Sequence, residues 1–191
     1  MERQPEIRVR VHTVRPYNNM MTVLGHFGGI SGYGEGGFGM DYERFLNESG
    51  TFSAHLPLFV YWGGDGATGD PYDNEGRTNV HGYFFSPGVL FHPFGNRQKA
   101  DVGLGAGLSF GAFDRVATTY YHYFASSVVR SDDPLVAVTA RLHFNLHTNV
   151  GYVFGVYTHV GALLSGTGPS LQYHSSSRLL WQFGIKMGGC W

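Results

Sequence analysis

The sequence is poor in charge, in cysteine and in long apolar runs, and each shortage excludes a class of protein. Charged residues make up 14% of the 191 positions, whereas ordinary soluble domains contain about 25%. The formal net charge is −1, so no strong field draws the chain to nucleic acid. The one cysteine is Cys190, which excludes an internal disulfide. No run of about 18 apolar residues is present, which excludes a transmembrane helix.

The start of the sequence lacks a further feature. Residues 1–5 contain no apolar core of the kind that a secretory signal peptide needs. Because a secreted protein requires such a signal, we interpret the chain as a mature form with an added initiator Met. Residues 1–18 are polar, and we predict that they form a separate periplasmic leader ahead of the folded part.

Glycine and aromatic residues are abundant instead. Glycine occupies 29 positions and aromatic residues make up 16% of the chain. Period-two alternation of apolar and polar residues is common, whereas helical periodicity is hard to find. The mean hydropathy is −0.14, which suits strands in which only every second residue is apolar.

The last fourteen residues show this alternation most clearly. One parity is apolar and carries Leu179, Trp181, Phe183, Ile185, Met187 and Trp191. The other parity is polar and carries Arg178, Gln182, Lys186 and Cys190. A strand sends alternate side chains to opposite faces, so this strand has one apolar and one polar face. No helix or second sheet is apparent to cover the apolar face, and we therefore expect it to contact lipid.

Eight strand candidates follow the leader. They span about residues 19–31, 37–46, 51–62, 80–91, 100–112, 135–146, 150–164 and 178–191. Connections two, four and six are short, whereas the other connections are long except for the first, at about 32–36. Outer-membrane barrels have short periplasmic turns and long external loops, and an even strand count places both termini in the periplasm. The pattern predicts an all-β, eight-stranded antiparallel transmembrane β-barrel over residues 19–191.

The alternation also assigns side chains to the lumen and to the lipid. The predicted polar network of the lumen contains Asp41, Glu43, Asp101, Arg141, His143, His159, Arg178 and Lys186. The predicted lipid-facing set contains Leu104, Leu108, Phe110, Val138, Phe144, Phe154, Trp181, Phe183 and Ile185. A lone buried ion is costly, so we expect acid–base pairs, with Glu43 opposite Lys186 or Arg141. Such a network forms either a packed structural plug or an ion path.

Three segments carry a resemblance to known proteins. Gly37–Leu46 resembles the second strand of small barrels common in Bacteroidetes, as does Ser86–Gly95 followed by the glycine-alternating strand. Residues 19–191 as a whole resemble the small eight-stranded outer-membrane barrels that include the OmpA transmembrane domain and OmpW. The resemblance implies a bacterial outer membrane, with lipopolysaccharide and the barrel-assembly machinery as partners. Trp191 then serves as the assembly signal, although Gly189 occupies the place of the usual penultimate aromatic residue.

Residue types that support catalysis or metal binding are present but do not form recognisable motifs. The ten histidines include no His-Glu-x-x-His motif, and we assign inward-facing His55, with His26 as a further candidate, to the polar network. The loop at 65–76 is rich in Asp and Gly but lacks EF-hand spacing. His122 and residues 174–177 offer the residue types of barrel enzymes that modify lipid A, without a visible nucleophile–base pair. We expect no cofactor, no metal and no catalytic residues.

Four functional hypotheses remain. The leading one is a non-enzymatic structural or adaptor barrel that contacts a larger outer-membrane protein complex through its loops or its lipid face. The Tyr-rich segment at 120–124 is either part of the interfacial aromatic belt or a binding patch on such loops. The alternatives are a narrow pore for small solutes, a lipid A-modifying enzyme, and a soluble ligand-carrying barrel with the opposite polarity.

Overall fold

A computed structural model describes residues 17–30, 33–65, 76–96, 98–121, 124–165 and 178–191. Within these ranges the chain consists of strands and turns, and no helix combines the length and apolarity that crossing a membrane requires. The strand segments are β1 Asn19–Ile30, β2 Tyr33–Phe45, β3 Phe52–Asp65, β4 Gly76–Phe85, β5 Gly88–Phe91, β6 Ala100–Tyr121, β7 Phe124–His147, β8 Tyr152–Ser165 and β9 Leu179–Cys190.

The sheet closes on itself. Neighbouring strands pair antiparallel along the chain, and β1 pairs with β9 from Met20 opposite Cys190 to Ile30 opposite Leu180. β4 and β5 both lie between β3 and β6, so they are two segments of one strand that is interrupted at Ser86 and Pro87. The result is a closed eight-stranded antiparallel barrel, which confirms the predicted fold.

The strands are longer at one end than the sequence predicted. β6 and β7 remain paired up to Tyr121 opposite Phe124, so most of the predicted loop at 113–134 is a β-hairpin. β2, β3 and β4 likewise extend into the predicted connections at 32–36 and 63–79. The hydrophobic alternation stops before the hydrogen-bond ladder does, because strand residues beyond an apolar belt have no reason to alternate. The prediction of loops was therefore wrong at 33–36, 63–65, 76–79, 113–121 and 124–134, while 66–75 and 122–123 lie outside the described residues.

The two ends of the barrel differ. The turn end holds the connections at 46–51, 92–99 and 148–151, together with the start of β1 and the end of β9. These turns are tightly built: the Asn47 side-chain oxygen accepts hydrogen bonds from the backbone N–H of Thr51 and Phe52 at 3.0 and 3.2 Å. Gly151 adopts a φ of 89°, a conformation that side-chain-bearing residues rarely adopt. The opposite end, to which Ile30, Asp65, Tyr121 and Ser165 point as the last residues of β1, β3, β6 and β8, is called the loop end.

Side chains alternate between a buried interior and an exposed outer face. In β9, Gln182 and Lys186 are buried, whereas Ile185 between them is 60% exposed. Leu24 in β1 points inward and is fully buried. The interior is polar in its middle and apolar at both ends, and this layering determines what the barrel can do.

Candidate functional site in the barrel interior

An apolar layer closes the interior towards the loop end. This loop-end plug is a single cluster of buried residues: Leu24, Phe59, Tyr61, Val80, Phe84, Phe113, Leu135, Ala137, Tyr157, Leu163 and Leu180. The Phe59 ring stacks on Phe84 with centroids 4.6 Å apart, and the His159 ring lies against Phe59 at 5.6 Å. Inward-pointing side chains from strands all around the barrel thus fill the cross-section, as expected for eight strands.

A second apolar layer closes the turn end. This turn-end plug contains Tyr17, Met20, Phe45 and Val153, with Cys190 packed against it. The Tyr17 ring meets Phe45 edge-on at 5.2 Å, and the Phe45 ring lies 4.9 Å from His92. The sequence analysis assigned Tyr17 to the leader, but the structure places this residue in the folded barrel.

The polar side chains lie between the two plugs, and the first group is an ion pair. Arg141 Nη2 lies 2.8 Å from Asp41 Oδ2, and both side chains are almost completely buried. Arg141 also donates through Nη1 to His55 Nδ1 at 3.3 Å. Its guanidinium carbon lies 4.9 Å from the centre of the Tyr157 ring, where a cation is favoured. These contacts hold Arg141 at the boundary between the ionic layer and the loop-end plug.

The second group is centred on His92, in the connection between β5 and β6. His92 Nε2 lies 2.9 Å from Glu43 Oε1, and His92 Nδ1 lies 3.0 Å from Asp101 Oδ2. Ser53 donates to Glu43 Oε1 at 2.7 Å. Burial alone lowers the pKa of His92, but the hydrogen bonds to Asp101 and Glu43 outweigh it and raise the pKa to about 9. His92 is therefore an imidazolium that bridges two carboxylates.

A charge count supports this protonation state. Among the residues whose side chains the structure describes, the buried interior holds three acidic groups, on Asp41, Glu43 and Asp101, and two basic ones, on Arg141 and Lys186. Uncompensated charge in a medium of low dielectric constant is costly. A proton on a histidine that faces two carboxylates balances the sum.

Lys186 joins the same network through a second histidine. Its Nζ donates to His143 Nδ1 at 3.3 Å, and His143 Nε2 lies 3.5 Å from Asp101 Oδ2. Gly103 makes room for this ring, because a Cβ at that position would lie only 2.2 Å from His143 Nε2. Contacts therefore run without a gap from Lys186 through His143, Asp101 and His92 to Glu43.

A neutral polar group completes the layer next to the loop-end plug. Ser86 Oγ lies 2.7 Å from Ser109 Oγ and 3.3 Å from His159 Nε2. The other ring nitrogen of His159 lies 3.3 Å from Gln182 Oε1. These partners satisfy polar atoms that water does not reach, so the histidine needs no charge.

The structure places most of the predicted lumen residues in this interior. Seven are buried: Asp41, Glu43, Asp101, Arg141, His143, His159 and Lys186. Arg178 is exposed, because it precedes β9 at the rim of the loop end, beyond the plug; its prediction as a lumen residue was wrong. Of the two partners predicted for Glu43, Arg141 contacts Asp41 instead, and the side chain in direct contact with Glu43 is His92.

Sequence reasoning missed His92, His147 and Tyr17. His92 keeps the inward parity of Phe84, Ser86 and Leu90, one residue beyond its strand. His147 continues the inward parity of Arg141 and His143 in the same way. Extending each parity by one residue into the turns would have found both histidines. Nothing in the sequence distinguishes Tyr17 from the other residues ahead of the first strand.

The outer face carries the predicted lipid-facing side chains. All nine are between 42% and 60% exposed: Leu104, Leu108, Phe110, Val138, Phe144, Phe154, Trp181, Phe183 and Ile185. Trp191 is also exposed, at 62%, and its carbonyl accepts hydrogen bonds from the backbone N–H of Asn18 and Asn19, both at 3.0 Å. An apolar belt of this extent on the outside of a barrel is abnormal for a protein surrounded by water.

Three of the buried side chains have the composition of a metal site. Glu43, His92 and His143 offer ligand atoms within 4.8 Å of one another. However, the ammonium of Lys186 donates to His143 Nδ1, and His92 is already bracketed by two carboxylates. The cluster thus supplies its own cations, which favours an ion-pair network over a divalent metal. The candidate calcium-like residues 66–75, His122 and residues 174–177 lie outside the described residues.

The bridging imidazolium predicts a pH dependence of stability. Because the pKa of His92 is higher in the folded barrel than its ordinary value of 6.5, its contribution is complete below that value and is lost as the pH rises through about 9. We expect the free energy of unfolding to fall between about pH 7 and about pH 9.5. Urea titrations in lipid vesicles measure it, and His92→Gln should flatten the profile in this window. An unchanged slope in that variant would assign the dependence to another group.

Comparisons with known proteins agree with this fold. No protein-family model and no curated protein sequence matches the chain. Among solved structures, OprG from Pseudomonas aeruginosa has a TM-score of 0.58 at 11% identity, covering 96% of this chain and 99% of its own. Ail, the attachment invasion locus protein of Yersinia pestis, has a TM-score of 0.57 at 12% identity, covering 93% and 100%. A major outer membrane protein from Thermus thermophilus has a TM-score of 0.56 at 11% identity, covering 91% and 99%. The chain therefore has the fold of the small eight-stranded barrels of bacterial outer membranes.

Proposed function

We propose that this protein is an integral barrel of a bacterial outer membrane that acts as a structural or adaptor subunit, and not as a pore or an enzyme. The observation that carries the proposal is the buried ionic network closed between two apolar plugs. An interior of this kind holds the barrel together and offers no path for a solute. In this proposal the outer surface makes the contacts with other membrane proteins.

The exposed belt supports the membrane location. Apolar side chains that alternate with a polar interior are the signature of a lipid-facing barrel. In this arrangement lipid, including lipopolysaccharide, surrounds the belt. The short connections and both chain ends lie in the periplasm, and the exposed Trp191 is available to the barrel-assembly machinery. A soluble ligand-carrying barrel requires the opposite polarity.

The plugs argue against conduction. An ion that crosses the interior would have to lose its water beside Phe59 and Phe84 at one end and Phe45 at the other, all of them buried. Desolvating an ion without partners costs many kcal/mol. Between the plugs, each fixed charge of the network lies close to an opposite charge or a hydrogen-bond partner. The network is therefore a structural element in this proposal.

The β6–β7 hairpin supports an adaptor role. β6 has 22 residues and β7 has 24, whereas about 9–11 tilted residues cross the hydrocarbon layer. More than ten residues of each strand are left over, and at about 3.3 Å per residue they extend the barrel wall roughly 30 Å beyond the hydrocarbon layer. β6 stays paired with β4 up to Thr119, so this extended wall, with the β6–β7 hairpin at its tip, is suited to contact a partner protein.

The test is a pull-down from native membranes with the full chain and a shortened hairpin. Val116 pairs with Arg130, so replacing residues 117–129 by an Asn-Gly turn keeps the register of the barrel. We expect the intact protein to retain a membrane-protein partner in several mild detergents, and the shortened protein to lose it. Mass spectrometry of the recovered material identifies the partner. Recovery of the barrel alone in every detergent would refute the adaptor role.

Conductance and lipid analysis address the alternatives. Reconstituted barrel in planar bilayers should show no channel activity, in the native protein or in Glu43→Gln. A conductance that Glu43→Gln abolishes or alters would establish the narrow pore instead. Lipid A from cells that express the barrel should have an unchanged mass spectrum, and a defined mass shift would establish an enzyme.

A further inference from the structure

Tyr17 lies before the first strand and is nevertheless part of the interior. Its side chain is 4% exposed. The pocket around it is formed by the apolar residues Met20, Phe45 and Val153, with Cys190 packed against them. These residues come from four different strands, β1, β2, β8 and β9, so the pocket belongs to the closed barrel.

The pocket matches a phenol in both polarity and shape. The Tyr17 hydroxyl lies 2.9 Å from His147 Nε2, which satisfies the polar end of the ring. The ring itself contacts Phe45 edge-on at 5.2 Å and lies 4.9 Å from the His147 ring. Edge-on and tilted arrangements at such distances are favourable for aromatic pairs. The Tyr17 carbonyl accepts a hydrogen bond from the Asn96 side chain, which fixes the backbone above the pocket.

The ionic network begins directly beneath this pocket. Phe45 touches both Tyr17 and His92, with ring centroids 5.2 and 4.9 Å away. Ser53, fully buried, contacts Glu43 and His92 from the same side. Tyr17 and Phe45 therefore lie together on the turn side of the network, while the loop-end plug lies on its other side.

Tyr17 can move out of its pocket without breaking the pairing of any two strands. Residue 17 precedes β1, and the backbone hydrogen bonds that anchor the neighbouring chain start at Asn18 and Asn19, which both donate to the Trp191 carbonyl at 3.0 Å. Removing a strand residue would break the closed ladder, whereas moving Tyr17 breaks two hydrogen bonds, to His147 and Asn96, and its packing.

We propose that Tyr17 is a removable stopper in an aromatic-binding pocket at the turn end of the barrel. The chain's own phenol occupies the pocket and keeps water from Ser53, Glu43 and His92. Withdrawal of the stopper opens the network to the turn side only, so the barrel becomes a one-sided cleft and not a channel. This proposal does not depend on the adaptor role, and failure to find a partner protein leaves it intact.

Thiol accessibility tests the stopper. In a Cys190→Ser background, Ser53→Cys places a reporter thiol below the stopper, and the rate of its reaction with a small methanethiosulfonate reagent is measured in vesicles. We expect Tyr17→Ala to raise that rate at least tenfold. The labelling rate of the matched reporter Ala137→Cys, in the loop-end plug, should stay low whether or not Tyr17 is present. Tyr152→Ala, which removes an exposed tyrosine at the same end, should leave both rates unchanged.

Chemical rescue tests the ligand class. p-Cresol, the side-chain analogue of tyrosine, should slow labelling of Ser53→Cys in the Tyr17→Ala protein towards the native rate, and should have no effect when Tyr17 is present. Cyclohexanol, of similar size but without an aromatic ring, serves as the comparison and should protect less. Protection by p-cresol shows that the pocket persists when its own side chain is absent.

Several results would overturn the proposal. Equal labelling of Ser53→Cys with and without Tyr17 means that the residue does not seal the interior. An equal rise at Ala137→Cys means that the whole barrel has loosened. If Tyr17→Ala does not assemble, Asn96→Ala takes its place, since it frees the backbone of the stopper and keeps the ring. A native labelling rate in that variant would also refute a removable stopper.

Discussion

Replacing Arg141 by Met should lower the free energy of unfolding by about 3–5 kcal/mol, because it leaves the Asp41 carboxylate buried without its cation. The pair lies 2.8 Å apart in a part of the interior that solvent barely reaches. His55 would lose the Arg141 donor at the same time. We expect this to be among the largest effects of any single substitution in the barrel, and urea unfolding in lipid vesicles measures it.

A double variant tests whether the stability is lost because the Asp41 charge is left uncompensated, and not because the ion pair itself is missing. Replacing Asp41 by Leu together with Arg141 by Met removes both charges, and buried ion pairs exchanged for apolar side chains of similar size are often neutral or stabilising. We therefore expect most of the lost stability to return. Arg44→Met is the matched control, since Arg44 is exposed and should change stability by less than about 0.5 kcal/mol. A loss below about 1 kcal/mol in Arg141→Met would show that water reaches this pair.

Replacing Ile185 by Arg should destabilise the barrel in a lipid bilayer by about 2–4 kcal/mol, the cost of an arginine on the lipid face near the midplane. Ile185 lies in the middle of β9 and is 60% exposed on the outer face. In a protein surrounded by water, the same change at so exposed a site would stay within about 0.5 kcal/mol. The sign and size of the effect thus report on what surrounds the outer face.

Val150→Arg is the control for that experiment. Val150 is 78% exposed in the turn between β7 and β8, outside the belt, and a charge near the interface costs only about 0–1 kcal/mol. Unfolding in vesicles measures both variants under the same conditions. Equal effects at the two positions would mean that no hydrocarbon layer surrounds Ile185, and would contradict the membrane location.

The architecture of the barrel could be predicted from the alternation of apolar and polar residues, whereas the loop-end limits of the strands could not. The apolar parity of β9, from Leu179 to Met187, follows from the contrast between two environments on either side of the sheet. The sequence of β6 beyond about residue 112, and of β7 before about residue 135, does not alternate in this way, although their ladder continues to Tyr121 and Phe124. Hydrogen bonding there depends on neighbouring strands, which a single sequence does not display.

The membership of the interior was likewise easier to predict than its pairing. Parity places Asp41, Glu43 and Lys186 on the inward face, but it gives no information about height along the barrel axis. Height depends on the stagger between strands, and it decides that Arg141 meets Asp41 and not Glu43. His92 was missed for a different reason, because it lies one residue beyond the predicted strand, where the inward parity was not followed further.

The pairing of β1 with β9 has a kinetic consequence. It joins Met20 to Cys190, which are almost as far apart in sequence as the described chain allows. Contacts between distant segments form late and slowly, since the entropy of the intervening chain must be lost first. Until β9 pairs with β1, the incomplete sheet has two unpaired edge strands, which are prone to aggregation. We therefore expect the closure of β1 onto β9 to limit the rate at which this chain folds.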